Sequence, residues 1–315
     1  MRYRQLGNSG LTVSVVGLGC NNFGRLLGPD NTRAVLDAAL EVGVTLLDTA
    51  DIYGLGQSEE LIGRALGSRR SQVVLATKFG MDMAGANGPD WGARGSRRYI
   101  RQAVEASLRR LGTDHIDLYQ YHRPDGVTPI EETLAALDEL IDEGKVRYIG
   151  SSNLAAWQVV EAEYTARANG LTRFISAQNQ YSLLDRQVEA ELAPACRATG
   201  VGILPYFPLA NGLLTGKFQR DEAPAAGTRI GDRRQQLHAD APWDVIEGMA
   251  KFADERGIRP LDVAIGGLAA QPAVGSVIAG ATSPEQIRAN AAAAGWLPTP
   301  ADLEALDAIA PSPRR

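Results

Sequence analysis

Short apolar runs alternate with longer stretches of helical period along nearly the whole chain. The runs cover 15–18, 44–48, 73–78, 116–120, 146–151, 174–178, 201–206 and 274–279, each rich in Val, Ile, Leu or Ala and bounded by polar or glycine positions. Their length and composition predict buried strands. Between and after them, 31–41, 58–66, 97–111, 129–143, 155–169, 187–199, 242–257, 260–270 and 284–294 read as helices. In 97–111, Ile100, Val104, Leu108 and Leu111 fall on one face. Ser58 opens one helix with Glu59 and Glu60 in its first turn. Thr128 with Glu131 predicts a capping box around Pro129, and Gly144, Gly170 and Gly200 stand just past three helix ends.

Eight strands, each followed by a helix and joined by right-handed crossovers, predict an α/β fold that closes into a (β/α)8 TIM barrel; a doubly wound open sheet is the alternative. Residues 2–14 read as a hairpin, with a turn at Gly7-Asn8-Ser9-Gly10 between alternating runs, placed to cap the barrel bottom. Two long segments, 79–96 and 207–241, follow strands and therefore belong on the catalytic face. The 315 residues suit one domain spanning 1–315, since a barrel takes typically about 250 residues before insertions.

Composition narrows the class. With 44% apolar and 22% charged residues the chain is an ordinary globular one. A net charge of −5 argues against a nucleic-acid partner. Cys20 and Cys196 have no spacing for a disulfide framework or a zinc site, and His115, His122 and His238 show no ligand spacing, so no metal is expected. No apolar run approaches the roughly 20 residues of a membrane span, and the amino terminus has no apolar leader core, which predicts a cytoplasmic protein without a membrane partner.

The candidate chemistry sits at successive strand ends. Asp48 closes 44–47, Tyr53 follows five residues on, Lys78 closes 73–77, and His122 follows 116–121. A free phenol has a pKa of roughly 10, and a neighbouring ammonium is expected to lower it. Asp48 beneath would hold the Lys78 charge, and His122 would hydrogen-bond a substrate oxygen. Such a site protonates a carbonyl oxygen while its carbon is attacked. Taken singly, each residue has a plain structural role available, from a turn acceptor to a surface charge; their joint placement favours a site. A Schiff-base aldolase using Lys78 is the non-redox alternative, disfavoured because a carboxylate keeps the amine charged. No G-x-S-x-G elbow is present.

The chain resembles the aldo-keto reductase superfamily, bacterial branch, through Gly17-Leu18-Gly19-Cys20, Asp48-Thr49-Ala50-Asp51-Ile52-Tyr53-Gly54, Ala76-Thr77-Lys78, Leu118-Tyr119-Gln120-Tyr121-His122, Gly150-Ser151-Ser152-Asn153, Gln178-Asn179, Gly212-Leu213-Leu214-Thr215-Gly216-Lys217 and Gly280-Ala281-Thr282-Ser283-Pro284-Glu285-Gln286. The resemblance implies an NADPH-dependent reductase of aldehydes or ketones, with Tyr53 as general acid, Lys78 and Asp48 tuning it and His122 placing the carbonyl. It assigns the nicotinamide carboxamide to Ser152, Asn153 and Gln178, ring stacking to Tyr206, and the pyrophosphate to the 207–217 stretch with Phe207, Leu209, Gly212 and Lys217. Gly19, Cys20 and Asn21 fall near the nicotinamide, and Gly280, Thr282, Gln286 and Asn290 near the adenosine phosphate, where Arg288 is a further contributor.

Two departures stand out. Phe207 replaces a frequent serine, and Gly280 and Gln286 replace a lysine and an arginine of the mammalian branches, which leaves NADH possible. Gln286 also fits a capping box with Ser283. The expected substrate pocket comprises Asn22, Phe23, Tyr53, Leu55, Met81, Trp91 and His122, with Arg25 or Arg94 available to a carboxylate. Two alternatives stay open: an NAD(P)+-dependent sugar or alcohol dehydrogenase, and a nucleotide-sensing subunit of a membrane protein. Oligomeric state is open.

Overall fold

The computed structural model describes residues 1–224, 230–231 and 235–313, so part of the 207–241 loop lies outside the described residues. An antiparallel hairpin, β1 (Tyr3–Gln5) and β2 (Thr12–Ser14), precedes eight parallel strands. These are β3 (Val16–Gly19), β4 (Leu46–Asp48), β5 (Val74–Phe79), β6 (Ile116–Tyr121), β7 (Val146–Ser152), β8 (Ser176–Gln180), β9 (Gly202–Tyr206) and β10 (Val277–Gly280). They pair in the order β10-β3-β4-β5-β6-β7-β8-β9. A parallel bridge between Ile203 and Val274, with Gly275 N donating to Ile203 O at 2.8 Å, brings the two ends together. This is the TIM barrel that the strand–helix alternation predicts.

Helices cover the outside: α1 (Pro29–Glu41), α2 (Gln57–Leu66), α3 (Arg97–Leu111), α4 (Ile130–Asp142), α5 (Ala156–Asn169), α6 (Leu192–Thr199), α7 (Trp243–Glu255), α8 (Pro260–Ala269), α9 (Pro284–Ala293) and α10 (Pro300–Ile309). Two cores result. Outward-facing strand residues such as Leu47, Leu75, Tyr119 and Ile149 pack against the helices. Inside the barrel, Leu46, Ala76, Leu118, Leu204 and Ile278 meet Leu6, Leu11 and Val13 of the hairpin, which therefore plugs the bottom as expected. Gly7 makes that fit possible: its φ is +58°, and a Cβ there would lie 2.4 Å from the Ile175 carbonyl oxygen.

Several local signals resolve differently from expectation. Thr128 does not cap α4; its N–H and hydroxyl both donate to Asp125, and Pro129 is the N-cap. Ser58 does not open α2, which begins at Gln57 after Gly56, and its buried hydroxyl donates instead to Cys20 O at 3.0 Å. The 187–199 helix splits into a 3₁₀ turn, Gln187–Glu189, and α6. α10 was not expected at all, although Thr299 and Asp302 form a reciprocal cap at its start.

Candidate active site

The barrel interior changes character at one level. Two residues beyond each apolar position of the lower layer, the period-two alternation of a strand brings the next inward side chain up to the catalytic face. Leu46 is followed by Asp48, Ala76 by Lys78, Leu118 by Gln120, Leu204 by Tyr206 and Ile278 by Gly280. The register that pairs Lys78 with Gln120 and Ser152 with Gln178 completes a polar layer at the mouth.

Lys78 organises this layer. Its side chain is wholly buried, and its three N–H bonds have three acceptors: Asp48 Oδ2 at 2.8 Å, the Thr49 carbonyl at 2.8 Å and the Tyr53 hydroxyl at 3.4 Å. The other Asp48 oxygen accepts from Gln178 Nε2 at 2.8 Å and Gln120 Nε2 at 3.1 Å. Gln120 is therefore part of the cluster, a contribution that sequence reasoning missed. Its signal was an amide two residues beyond the inward-facing Leu118.

Burial alone would lower the Lys78 pKa, but Asp48, Tyr53 and their hydrogen bonds outweigh it and hold the amine above its ordinary value. A charged lysine with every donor engaged is not a Schiff-base nucleophile. For Tyr53 the balance goes against expectation. Burial pushes the phenol above 10; Lys78 pulls it back and Asp48 adds to the rise. Desolvation thus outweighs the ammonium, and the phenol stays protonated at neutral pH.

The His122 ring stands edge-on to that of Tyr53, centroids 6.1 Å apart. Burial, reinforced by the charges of Lys78 and Arg123, pushes its pKa down to about 3, so the imidazole is neutral. Its Nδ1 is buried with no hydrogen-bond partner among the described residues. Asn153, at φ +59°, secures the neighbourhood: its amide donates to the His122 carbonyl at 3.0 Å, and its oxygen accepts from the Tyr206 hydroxyl at 2.8 Å. Ser152 donates to the Gln178 carbonyl at 2.9 Å.

Behind Tyr53 the same turn is tied to the 79–96 loop. Asn87 donates to Asp51 Oδ2 at 2.9 Å, while Asp51 Oδ1 is buried without a partner among the described residues. Burial, with the charge of Glu59 adding, pushes Asp51 up to about 8.

A cleft of about 720 Å³ runs from this cluster across the barrel mouth to the start of α9. The structure brings onto it Gly19, Cys20, Asn21, Asp48, Ser152, Asn153, Gln178, Tyr206, Phe207, Leu209, Gly212, Lys217, Gly280, Thr282, Gln286 and Asn290, together with Asn22, Tyr53 and His122. Its shape and chemistry fit an extended dinucleotide. The exposed face of Tyr206 offers a stacking surface at one end, and Gly19 and Gly280 leave the floor open. A helix amino terminus, which attracts phosphate, lies at the other end. There Gln286 Oε1 accepts from Thr282 N at 2.8 Å, so only half of the expected capping box forms, through Ser283 Oγ. Arg288 pairs with Glu41 at 2.8 Å and is not on the cleft. Burial pushes the Cys20 thiol well above its ordinary value, which leaves it inert.

Four residues of the expected substrate pocket, Phe23, Leu55, Met81 and Trp91, do not line this cleft. Phe23 is fully buried in the core outside the barrel, because the turn after Cys20 rotates it inward. Leu55, at φ +53°, is 55% exposed, and Trp91 is 74% exposed with Arg98 stacked on its ring. Met81 is partly buried beside Tyr99, away from the cleft. Arg94 is held by Asp90 and Asp82, and Arg25 donates to Asn22 Oδ1 at 2.8 Å. Arg123, Asn211, Thr215 and Leu261 line the cleft without having been singled out.

The aldo/keto reductase family profile matches residues 15–311. The chain belongs to the aldo/keto reductase family. It is 38% identical to the uncharacterized oxidoreductase YrpG of Bacillus subtilis (strain 168), over 91% of this chain and 89% of that protein. It is 38% identical to a versiconal hemiacetal acetate reductase of Aspergillus parasiticus, over 84% of each. It is also 37% identical to a probable voltage-gated potassium channel subunit beta of Oryza sativa subsp. japonica, over 100% of this chain and 98% of that one. This aldo/keto reductase is thus an oxidoreductase of a family that acts on small-molecule carbonyls with NAD(P)H. Among its described residues no helix is long and apolar enough to cross a membrane.

Proposed function

We propose that the enzyme reduces the carbonyl of an aldehyde or ketone with NADPH, with Tyr53 as the general acid. The observation that carries this reading is the saturated Lys78 ammonium: its one contact open to the cleft is the Tyr53 hydroxyl, and its other two hold it rigidly to Asp48 and Thr49. When bound, the reduced nicotinamide supplies a hydride. Tyr53 delivers a proton to the carbonyl oxygen, and the ammonium beneath stabilises the phenolate left behind. Neutral His122 donates a hydrogen bond to the same oxygen and orients it, while Asp48, fixed by Gln120 and Gln178, keeps Lys78 charged. A phenol protonated at neutral pH has the proton that the reduction requires.

For the cofactor, the polar group Thr282, Gln286 and Asn290 at the start of α9 supports a phosphorylated adenosine, and Lys217 on the cleft supports the pyrophosphate. The test is to follow oxidation of NADPH and NADH in parallel against aromatic aldehydes, dicarbonyls and aldoses. Faster turnover with NADPH is expected; turnover with neither would refute the reading. Similarity to probable potassium channel beta subunits supports a second reading, in which the same barrel also docks on a membrane protein. Co-purification with a channel would favour that role, and full turnover by the isolated chain would show that catalysis does not depend on it.

A further inference from the structure

Arg123 directly follows His122 and forms neither an ion pair nor a hydrogen bond with any described residue. It is exposed at the junction of two cavities. One is the cleft just described. The other, about 580 Å³, opens beside it over the ends of β6, β8 and β9 and shares Asn153 and Tyr206 with the first. Arg123 lines the cleft with His122 and Tyr206, and its charge acts on both. Of the other arginines expected to meet a substrate, Arg94 is held by two carboxylates, while Arg25 lies on the far wall of the cleft from the side cavity and donates to Asn22 Oδ1.

The second cavity has its own unmet group. Asn179 donates to Leu154 O at 3.1 Å, but its oxygen is buried with no partner among the described residues. Asp185, on the same wall, is occupied by Gln180 Nε2 at 2.7 Å and confines a bound anion to the Arg123 side. A guanidinium with no anion among the described residues, facing both cavities, is complementary to an anionic ligand.

We propose that Arg123 is a specificity residue that selects carbonyl substrates carrying an anionic group a few bonds from the carbonyl. This rests on the carbonyl-reduction reading and names the substrate class of that site. Because Arg123 is adjacent to His122 in the chain, a small molecule spans both.

The test compares 4-carboxybenzaldehyde with its neutral methyl ester as substrates of the cofactor-loaded enzyme, in wild type and Arg123→Gln. The wild type is expected to favour the acid at least tenfold in kcat/KM, with the preference falling as salt is added. Arg123→Gln is expected to lower kcat/KM for the acid at least tenfold more than for the ester. Equal kcat/KM in wild type, or a preference that survives the substitution, overturns the proposal. If wild type reduces no aldehyde, the carbonyl-reduction reading fails instead. Arg123 is then judged by calorimetric binding of terephthalate and of inorganic phosphate. A Kd for either that rises tenfold in Arg123→Gln supports the anion site and tells carboxylate from phosphate; unchanged or undetectable binding of both overturns it.

Discussion

Replacing Lys78 by methionine tests whether the buried cluster is held by charge pairing. Methionine keeps the length and apolar stem of lysine but removes every donor. Asp48, only 2% exposed, then loses the ion pair at 2.8 Å and keeps only the two amide contacts from Gln120 and Gln178. Breaking a buried pair in this way costs about 3–5 kcal/mol, because one charge is left uncompensated in the interior. Lys78→Met/Asp48→Asn removes that charge and is expected to recover at least about 2 kcal/mol of the loss. The assay is urea unfolding at pH 7 followed by far-UV circular dichroism, with linear extrapolation to water. Both variants are expected to have lost reductase turnover, since the ammonium under Tyr53 is absent in each. A single variant within about 1 kcal/mol of wild type would refute the reasoning, as would a double variant no more stable than the single one.

Two further predictions concern pH. His122 is pushed down to about 3 in the folded state, against an ordinary value near 6.5. The unfolded chain therefore takes up a proton that the folded one refuses: stability from this group is full above about pH 6.5 and is lost as pH falls toward 3. His122→Asn should flatten the stability profile across that window, and an identical profile would contradict the assignment. Asp51 behaves oppositely. At about 8, against an ordinary value of 3.8, the folded state keeps a proton that the unfolded chain has released, so wild type loses stability as pH rises from about 4 to 8. Asp51→Asn should gain on wild type over that interval by at most about 1.4 kcal/mol per pH unit, checked by urea unfolding at pH 5 and pH 8.

Much of this architecture was legible in the sequence because period-two and helical patterning are long-range repeats that tertiary packing does not overturn. Leu46 and Asp48, or Ala76 and Lys78, could be placed one above the other from alternation alone, and the polar layer follows from that. Local signals fared worse because they compete with tertiary partners. Thr128 had the residue type for a cap but found Asp125, and Ser58 was drawn inward to the Cys20 carbonyl. Loop side chains have no period at all, so nothing in the sequence could show Phe23 turning into the core or Leu55 and Trp91 facing solvent. The Tyr53 phenol shows a different gap. The sequence names its charged neighbours but not its burial, and burial is the larger effect.

The central claim is that Tyr53 is the acid, and the most direct measurement of it is single-turnover cofactor oxidation by Tyr53→Phe with a good aldehyde, after confirming that NADPH binds as in wild type. Phenylalanine keeps the ring and removes only the hydroxyl that meets Lys78 at 3.4 Å. A loss of roughly 10²- to 10⁴-fold in the reduction step is expected for a missing general acid. A rate within threefold of wild type, with cofactor binding intact, would contradict the account.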